Sequence, residues 1–336
     1  MKLEQIPCKA LAKAKSVFVF PSHLVGCTGK KAVLLDREQN LIHTIEGLSY
    51  VYFAAISPDE SQLLLISNEK YFYVVDLHSF EKRRIAVKAP WELLADTRGC
   101  WSSDGASVYI PVYRGEVSTL RNYRAADPSM YEDVLSGKYV LRTIQWVPSR
   151  KAYFLCGYGR QEKKQNYFIW YDGAAFTAYP VQEPPGTMIF MAKAEEKDPS
   201  VTMISNHGCF RMSPEGQILE KVEHPSPKDK ELSFFSGFHH LLNGNEEKEG
   251  QLLAISEALD LERIPAPDRI TKYSRSSDGA YGYLASDSGF YLLDGTTGEV
   301  LASVPAEHGI HCVAELSPGL LALSTWTATK LYRISK

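Results

Sequence analysis

The chain has 336 residues, 44% of them apolar and 23% charged, with a formal net charge of −3 and an isoelectric point near 6.3. This composition fills a large core, excludes a disordered polyampholyte, and offers no basic field to hold nucleic acid or anionic lipid. No apolar run approaches the ~20 residues of a membrane-spanning helix. Met1 to Ser22 carries Lys2, Lys9, Lys13 and Lys15 but only a five-residue patch, Ser16 to Phe20, which is too short for the apolar stretch of a signal peptide. The expectation is a cytoplasmic protein with no nucleic-acid partner and no membrane segment.

Read in chain order, short strands dominate. Starts of candidate first strands fall near Ser16, Tyr50, Leu93, Tyr139, Gly186, Leu232, Ile270 and Gly309. Their spacing of about 34 to 47 residues brackets a four-stranded repeat. One phrase recurs. Tyr50 to Ile56 leads through Ser57-Pro58-Asp59 into Leu63 to Ile66 and then Tyr71 to Asp76; Ile270 to Arg275 leads through Ser277-Asp278-Gly279 into Tyr281 to Leu284 and then Phe290 to Asp294. Similar turn signals stand at Ser103-Asp104-Gly105, Pro148-Ser149-Arg150 and Ser317-Pro318-Gly319, where Pro presets φ and Asp or Gly suits the reversal. Third strands end in Asp36, Asp76, Asp172 and Asp294, each placed to cap the next turn. Two units are weak, because Ser16 to Glu46 is short and Leu232 to Ile264 lacks a clear fourth strand. A helical turn is expected only within Ala125 to Ser136.

The repeat, with the opening strand around His308-Gly309-Ile310-His311-Cys312-Val313, resembles the WD40-like and YVTN-type β-propeller families. The Trp-Asp dipeptide of the first is replaced by Val, Tyr or Leu before the aspartate. The resemblance implies an all-β fold, a β-propeller of seven or eight four-stranded blades, with the count favouring eight. The whole chain, 1–336, is then one domain. The last unit has room for three strands, so residues 1–11 supply the outer strand of the last blade and 12–336 form the blades, an arrangement that removes exposed sheet edges.

Catalytic signatures are missing: the sequence holds no G-x-S-x-G elbow, Walker loop or H-E-x-x-H. Six cysteines (Cys8, Cys27, Cys100, Cys156, Cys209, Cys312) form no C-x-x-C pair and read as free thiols in the core. Of nine histidines, the neighbours His239 and His240 point to opposite faces of a strand, as do His308 and His311 if extended, so no metal site is expected. Gly157-Tyr158-Gly159 reads as a hairpin loop, not a phosphate cradle. No cofactor is implied and no catalytic residue can be named.

In a propeller, loops entering the first strand and loops joining the second and third strands open on one face. Trp91 belongs to the first set; Glu69, Arg114, Tyr158, Arg160, His207, Asp287 and Trp326 belong to the second, with His311 on the last first strand. A rim mixing Trp, Tyr, Arg and His has the makeup of a contact hot spot. The favoured function is a non-enzymatic scaffold binding a protein or peptide on this face. The alternative is a propeller hydrolase or small-ligand binder with its site at the central channel. Sugar-acid lactonases of a similar seven-bladed family open turns with His-Pro-Asn/Asp-Gly; here Ser213-Pro214-Glu215-Gly216 carries Ser instead.

Overall fold

A computed structural model describes residues 1–335 except 68–69, 95–96, 160–164, 184–186, 188, 196–197, 199, 206, 224–230, 235–239, 244–250, 256–260, 266–269 and 307. The chain divides into two compact units, Leu48–Glu223 and Met1–Gly47 together with His224–Lys336.

Leu48–Glu223 holds four four-stranded antiparallel sheets, each formed by strands consecutive in sequence. The first joins Val51–Ile56, Gln62–Ser67, Tyr71–Asp76 and Lys82–Ala86. Its two middle strands carry apolar runs because both sheet faces are covered, so alternation gives way to burial of every interior position. Leu64, Ile66, Phe72 and Val74 pack against Trp101, Val108, Ile110 and Tyr123 of the next sheet. The same contact recurs onward: Tyr109 and Leu120 meet Tyr139, Leu141 and Ile144, and Phe154, Phe168 and Trp170 meet Val201, Met203 and Phe210. Edge-to-face aromatic pairs such as Phe154–Phe168, 5.3 Å between centroids, add directional attraction to this burial.

Three local expectations fail here. The strand foreseen at Leu93 begins only at Cys100–Trp101, leaving a single bridge from Glu92 to Tyr113. Pro90 cannot donate to a ladder, and Leu93 is buried by a turn in which the Leu94 amide meets the Thr97 hydroxyl and the Thr97 amide meets the Leu94 carbonyl. The helical turn expected in Ala125 to Ser136 is instead an Asp127-Pro128-Ser129 reversal followed by strand Tyr131–Ser136. Gly157-Tyr158-Gly159 lies inside strand Ala152–Gly159; a Cβ on Gly157 would stand 2.6 Å from the Val140 carbonyl oxygen, so glycine there serves close strand approach.

The other unit repeats the plan. Ser16–Val19, His23–Cys27, Ala32–Asp36 and Leu41–Ile45 form one sheet, and Ile270–Arg275, Tyr281–Ser286, Gly289–Asp294 and Val300–Pro305 another. Strands within 231–265 pair in the same consecutive order, and Leu261–Pro265 supplies the fourth strand that the sequence left unclear. The last sheet, Cys312–Ser317, Leu320–Ser324 and Thr329–Ser335, takes its outer strand from Lys2–Ile6, in register from Lys2 opposite Ser335 to Ile6 opposite Leu331. Leu11, fully buried, anchors the segment after that strand against Leu24, Leu35 and Leu331.

The first hairpins share one turn. Ser57, Ser102 and Ser276 each donate a hydroxyl hydrogen bond of 2.6 Å to an aspartate two residues on, Asp59, Asp104 and Asp278. The same hydroxyl accepts the amide five residues on, at 2.8–2.9 Å. The working serine is therefore Ser102 and Ser276, one residue before those read from the sequence. After each aspartate comes a left-handed residue: Gly105 and Gly279 in two turns, Glu60 in the third. The strand-end aspartates cap as foreseen, with Asp76, Asp172 and Asp294 each accepting two main-chain amides at 2.7–3.0 Å.

All six cysteines are free. Burial pushes the Cys27, Cys156 and Cys209 thiols up to about 12, so they stay protonated and inert. Among the described residues no helix is long and apolar enough to cross a membrane, and no three His, Cys, Asp or Glu side chains come together to hold a metal.

Candidate functional site

The strongest site lies within the terminal unit, at the end of the last sheet where the chain enters Cys312–Ser317 and where Leu320–Ser324 turns into Thr329–Ser335. The turn is tight. The Thr325 amide meets the Ala328 carbonyl at 2.8 Å, and the Thr325 hydroxyl accepts the amides of Thr327 and Ala328. Closing the loop over four residues turns Trp326 outward, 60% exposed. Its indole lies flat on the His311 imidazole, with centroids 4.1 Å apart and planes 16° apart.

His311 is held by its own backbone, whose amide donates to the Ser324 carbonyl at 3.0 Å. Its Nδ1 is buried without a hydrogen-bond partner. Burial holds its pKa below the usual histidine value; a hydrogen bond with the Lys15 main chain opposes this, and the charges of Lys272 and Lys15 reinforce it. Beside the stack opens a cavity of about 150 Å³, walled by Ile310, Leu323 and Tyr332 and edged by His308, Thr327 and Lys330. Residues 308–311 are not strand, so His308 reaches this cavity while His311 reaches Trp326; the opposite-face argument assumed an extended chain. Asp287 sits exposed between Tyr281–Ser286 and Gly289–Asp294, its carboxylate 3.2 Å from where a Cβ on Gly309 would stand.

Within Leu48–Glu223 the foreseen residues form separate, smaller groupings. Trp91 is half-buried against its core cluster, with the guanidinium of Arg114 5.7 Å and that of Arg121 5.4 Å from its ring. Arg121, only 3% exposed, donates to Asp133 at 2.8 Å and lies over Tyr131, so this side of Trp91 is a packing surface. Tyr158 carries Arg142 over its ring at 5.5 Å. His207 lies between Val201–Ser205 and Gly208–Met212, its amide on the Ser205 hydroxyl and its Nε2 buried without a partner. Glu69, Arg160 and His239 lie outside the described residues; His240 lies in strand His240–Asn243.

One group went unread in the sequence. Glu183, on the connection after Phe176–Pro180, accepts from Asn166 Nδ2 at 2.6 Å through Oε1, while Oε2 is buried without a partner. Burial raises its pKa to about 7, only partly offset by Asn166. The one sequence signal was its place before Pro184-Pro185 in a connection of the predicted rim.

No protein-family model and no curated protein matches the chain. Solved structures do. The C-terminal WD40 domain of Sif2 is similar over 99% of both chains, with a TM-score of 0.67 and 13% identity. BamB from Moraxella catarrhalis is similar over 99% of this chain and 100% of its own, with a TM-score of 0.64 and 11% identity. The dihydro-heme d1 dehydrogenase NirN, in complex with DHE, is similar over 96% of this chain and 73% of its own, with a TM-score of 0.66 and 15% identity. At these identities the likeness speaks for architecture alone, since one fold carries many activities. The chain has the all-β fold of the WD40-like β-propellers.

Proposed function

We propose that the protein is a non-enzymatic scaffold that binds a protein or peptide through the loop end of its sheets, with Trp326 and His311 as the central contact and Asp287 at its border. The observation that carries this reading is the stacked, exposed indole beside a cavity large enough for one apolar side chain. An aromatic anchor next to a pocket is the usual composition of an energetic hot spot. The similar WD40 domain of Sif2 supports it at the level of fold. We propose further that residues 1–336 form one domain of eight blades with Lys2–Ile6 closing the last, and that Trp91, Arg114, Tyr158 and His207 are secondary contacts. A cytoplasmic setting belongs to the same reading.

Selection of a displayed peptide library on the wild-type protein tests it. Enriched peptides are expected to bind with micromolar affinity and to lose about tenfold, or 1.4 kcal/mol, on Trp326→Ala. Failure to enrich any peptide, or binders indifferent to Trp326→Ala, overturns it. A second reading, a small-ligand site, is favoured by the partly open cavity at Ile310, Leu323 and Tyr332. A thermal-shift screen of lactones, sugars and nucleotides tests that reading, since ligand at a hundred times its dissociation constant adds roughly 2.7 kcal/mol.

A further inference from the structure

Cations and aromatic rings alternate along one side of Leu48–Glu223. The Arg114 guanidinium lies 5.7 Å from the Trp91 ring, that of Arg121 lies 5.4 Å from Trp91 and 4.4 Å from Tyr131, and the Lys88 ammonium lies 5.8 Å from Tyr131. Both rings are half-buried against one core cluster and so form fixed platforms. The backbone beside Trp91 is fixed too, since Glu92 and Tyr113 exchange amide-to-carbonyl bonds at 2.8 and 2.9 Å. The charges in this row do not cancel. Arg121, only 3% exposed, is matched by Asp133 at 2.8 Å. Arg83, on the neighbouring strand Lys82–Ala86, donates to the Ala126 carbonyl and lies 3.7 Å from Glu81. Lys88 and Arg114 are exposed, and among the described residues neither meets a carboxylate. Glu92 alternates with Trp91 and Leu93, which pack on the core cluster, so its side chain is turned to the opposite face. Glu116 is exposed at the tip of the Arg114 hairpin and forms an ion pair with neither cation.

We infer that the row of Lys88, Trp91, Arg114 and Tyr131 is a second docking surface, whose partner is a peptide carrying two separate carboxylates, one for Arg114 and one for Lys88. This rests on the peptide-binding reading of Trp91 and Arg114 above, and it does not depend on Trp326. Charge complementarity selects the occupant. Two positive charges are left unmatched, and they stand against different rings, Arg114 at Trp91 and Lys88 at Tyr131, with Arg121 touching both rings. Two carboxylates spaced along an extended peptide fit such a row, whereas a single phosphate calls for cations that converge on one point. A cation resting on a ring face is partly ordered before the partner arrives, so less side-chain freedom is lost when an acid meets it. Carboxylates placed this way give register and speed of association, and the same cations repel a basic peptide.

The test uses the full chain and four fluorescent peptides with blocked ends: Glu-Ser-Val-Ser-Glu, the same peptide with Gln at both ends, the same with Lys at both ends, and the Gln form phosphorylated on one serine. Fluorescence anisotropy should show the Glu form binding at least about threefold more tightly than any other, the size expected of two exposed ion pairs, with the preference shrinking as salt rises. Lys88→Ala combined with Arg114→Ala should bring the Glu form down to the Gln form, while Trp326→Ala, and Lys30→Ala in the other unit, should leave the preference intact. Circular dichroism of each variant separates lost binding from lost folding. Equal binding of the Glu and Gln forms, a preference that survives the double substitution, or a phosphorylated form that binds as well as the Glu form overturns the inference. If library-selected peptides bind through Trp326 while the Glu form gains nothing over the Gln form, this second surface alone fails. If no peptide binds at all, the scaffold reading fails with it.

Discussion

Trp326 lies parallel to His311, 4.1 Å from it, at the end of the sheet that joins the first and last strands of the chain. An indole this exposed contributes little to the core, so Trp326→Ala should shift unfolding free energy by less than about 1 kcal/mol, within the range of a single aromatic pair. The contact also reports protonation. The folded pKa of His311 lies below the ordinary histidine value, so the neutral ring persists as pH falls past 6.5 and the imidazolium forms only further down. Trp326 fluorescence, obtained as wild type minus Trp326→Phe, should change with a midpoint below pH 6.5, and His311→Ala should abolish that transition.

Glu183 makes a pH prediction of opposite kind. Its folded pKa, about 7, lies above the unfolded carboxyl value, so the folded state holds the proton more tightly. Its contribution to stability is complete below the unfolded pKa and is lost as pH rises through about 7. Urea unfolding of the wild type should weaken between pH 5 and pH 8, and Glu183→Gln should flatten that dependence. An unchanged slope in the variant would assign the dependence to other groups.

The three serine-pinned turns allow a comparison inside one molecule. Glu60 occupies the left-handed position, φ 55°, that glycine fills at Gly105 and Gly279. A side chain there costs about 1–2 kcal/mol, and glycine returns about 0.5–1 of it as chain entropy. Glu60→Gly should raise stability by about 0.5–1 kcal/mol in denaturant titration. Ser57→Ala should lower it by about 1 kcal/mol, because Asp59 and the Gln62 amide both lose a partner.

Gly295 is a close-packing glycine. A Cβ there would stand 2.1 Å from the Gly279 carbonyl oxygen and 2.7 Å from the Ala280 carbonyl carbon, both backbone atoms that cannot swing aside. Gly295→Ala should cost about 1–3 kcal/mol, and thermal unfolding should show the loss. Gly115→Ala meets nothing within 4 Å and pays only for its positive φ, so it should cost less.

The strands at Ser16, Tyr139 and Ile270 were legible because apolar runs and Ser-Asp-Gly turns are local signals read over a few residues. Leu93 misled because it is buried in the same core cluster as Trp101 from a connection, not from a strand, and an apolar residue looks alike in a strand or a turn. Trp326 could be placed at a hairpin tip from the runs on either side. Its partner could not, since the stack depends on how the chain bends at residues 308–311 before strand Cys312–Ser317. Glu183 was invisible for a similar reason: it lies on a connection, and its environment is made by Asn166, seventeen positions earlier on a strand.

The most direct measurement is fluorine NMR of the protein labelled with fluorotryptophan at its five tryptophans, with the Trp326 resonance assigned by Trp326→Phe. On adding a library-selected peptide, the Trp326 signal should move while that of Trp170, buried and bonded to the Pro214 carbonyl, stays in place. A Trp326 signal that does not move while the peptide is demonstrably bound would contradict the account.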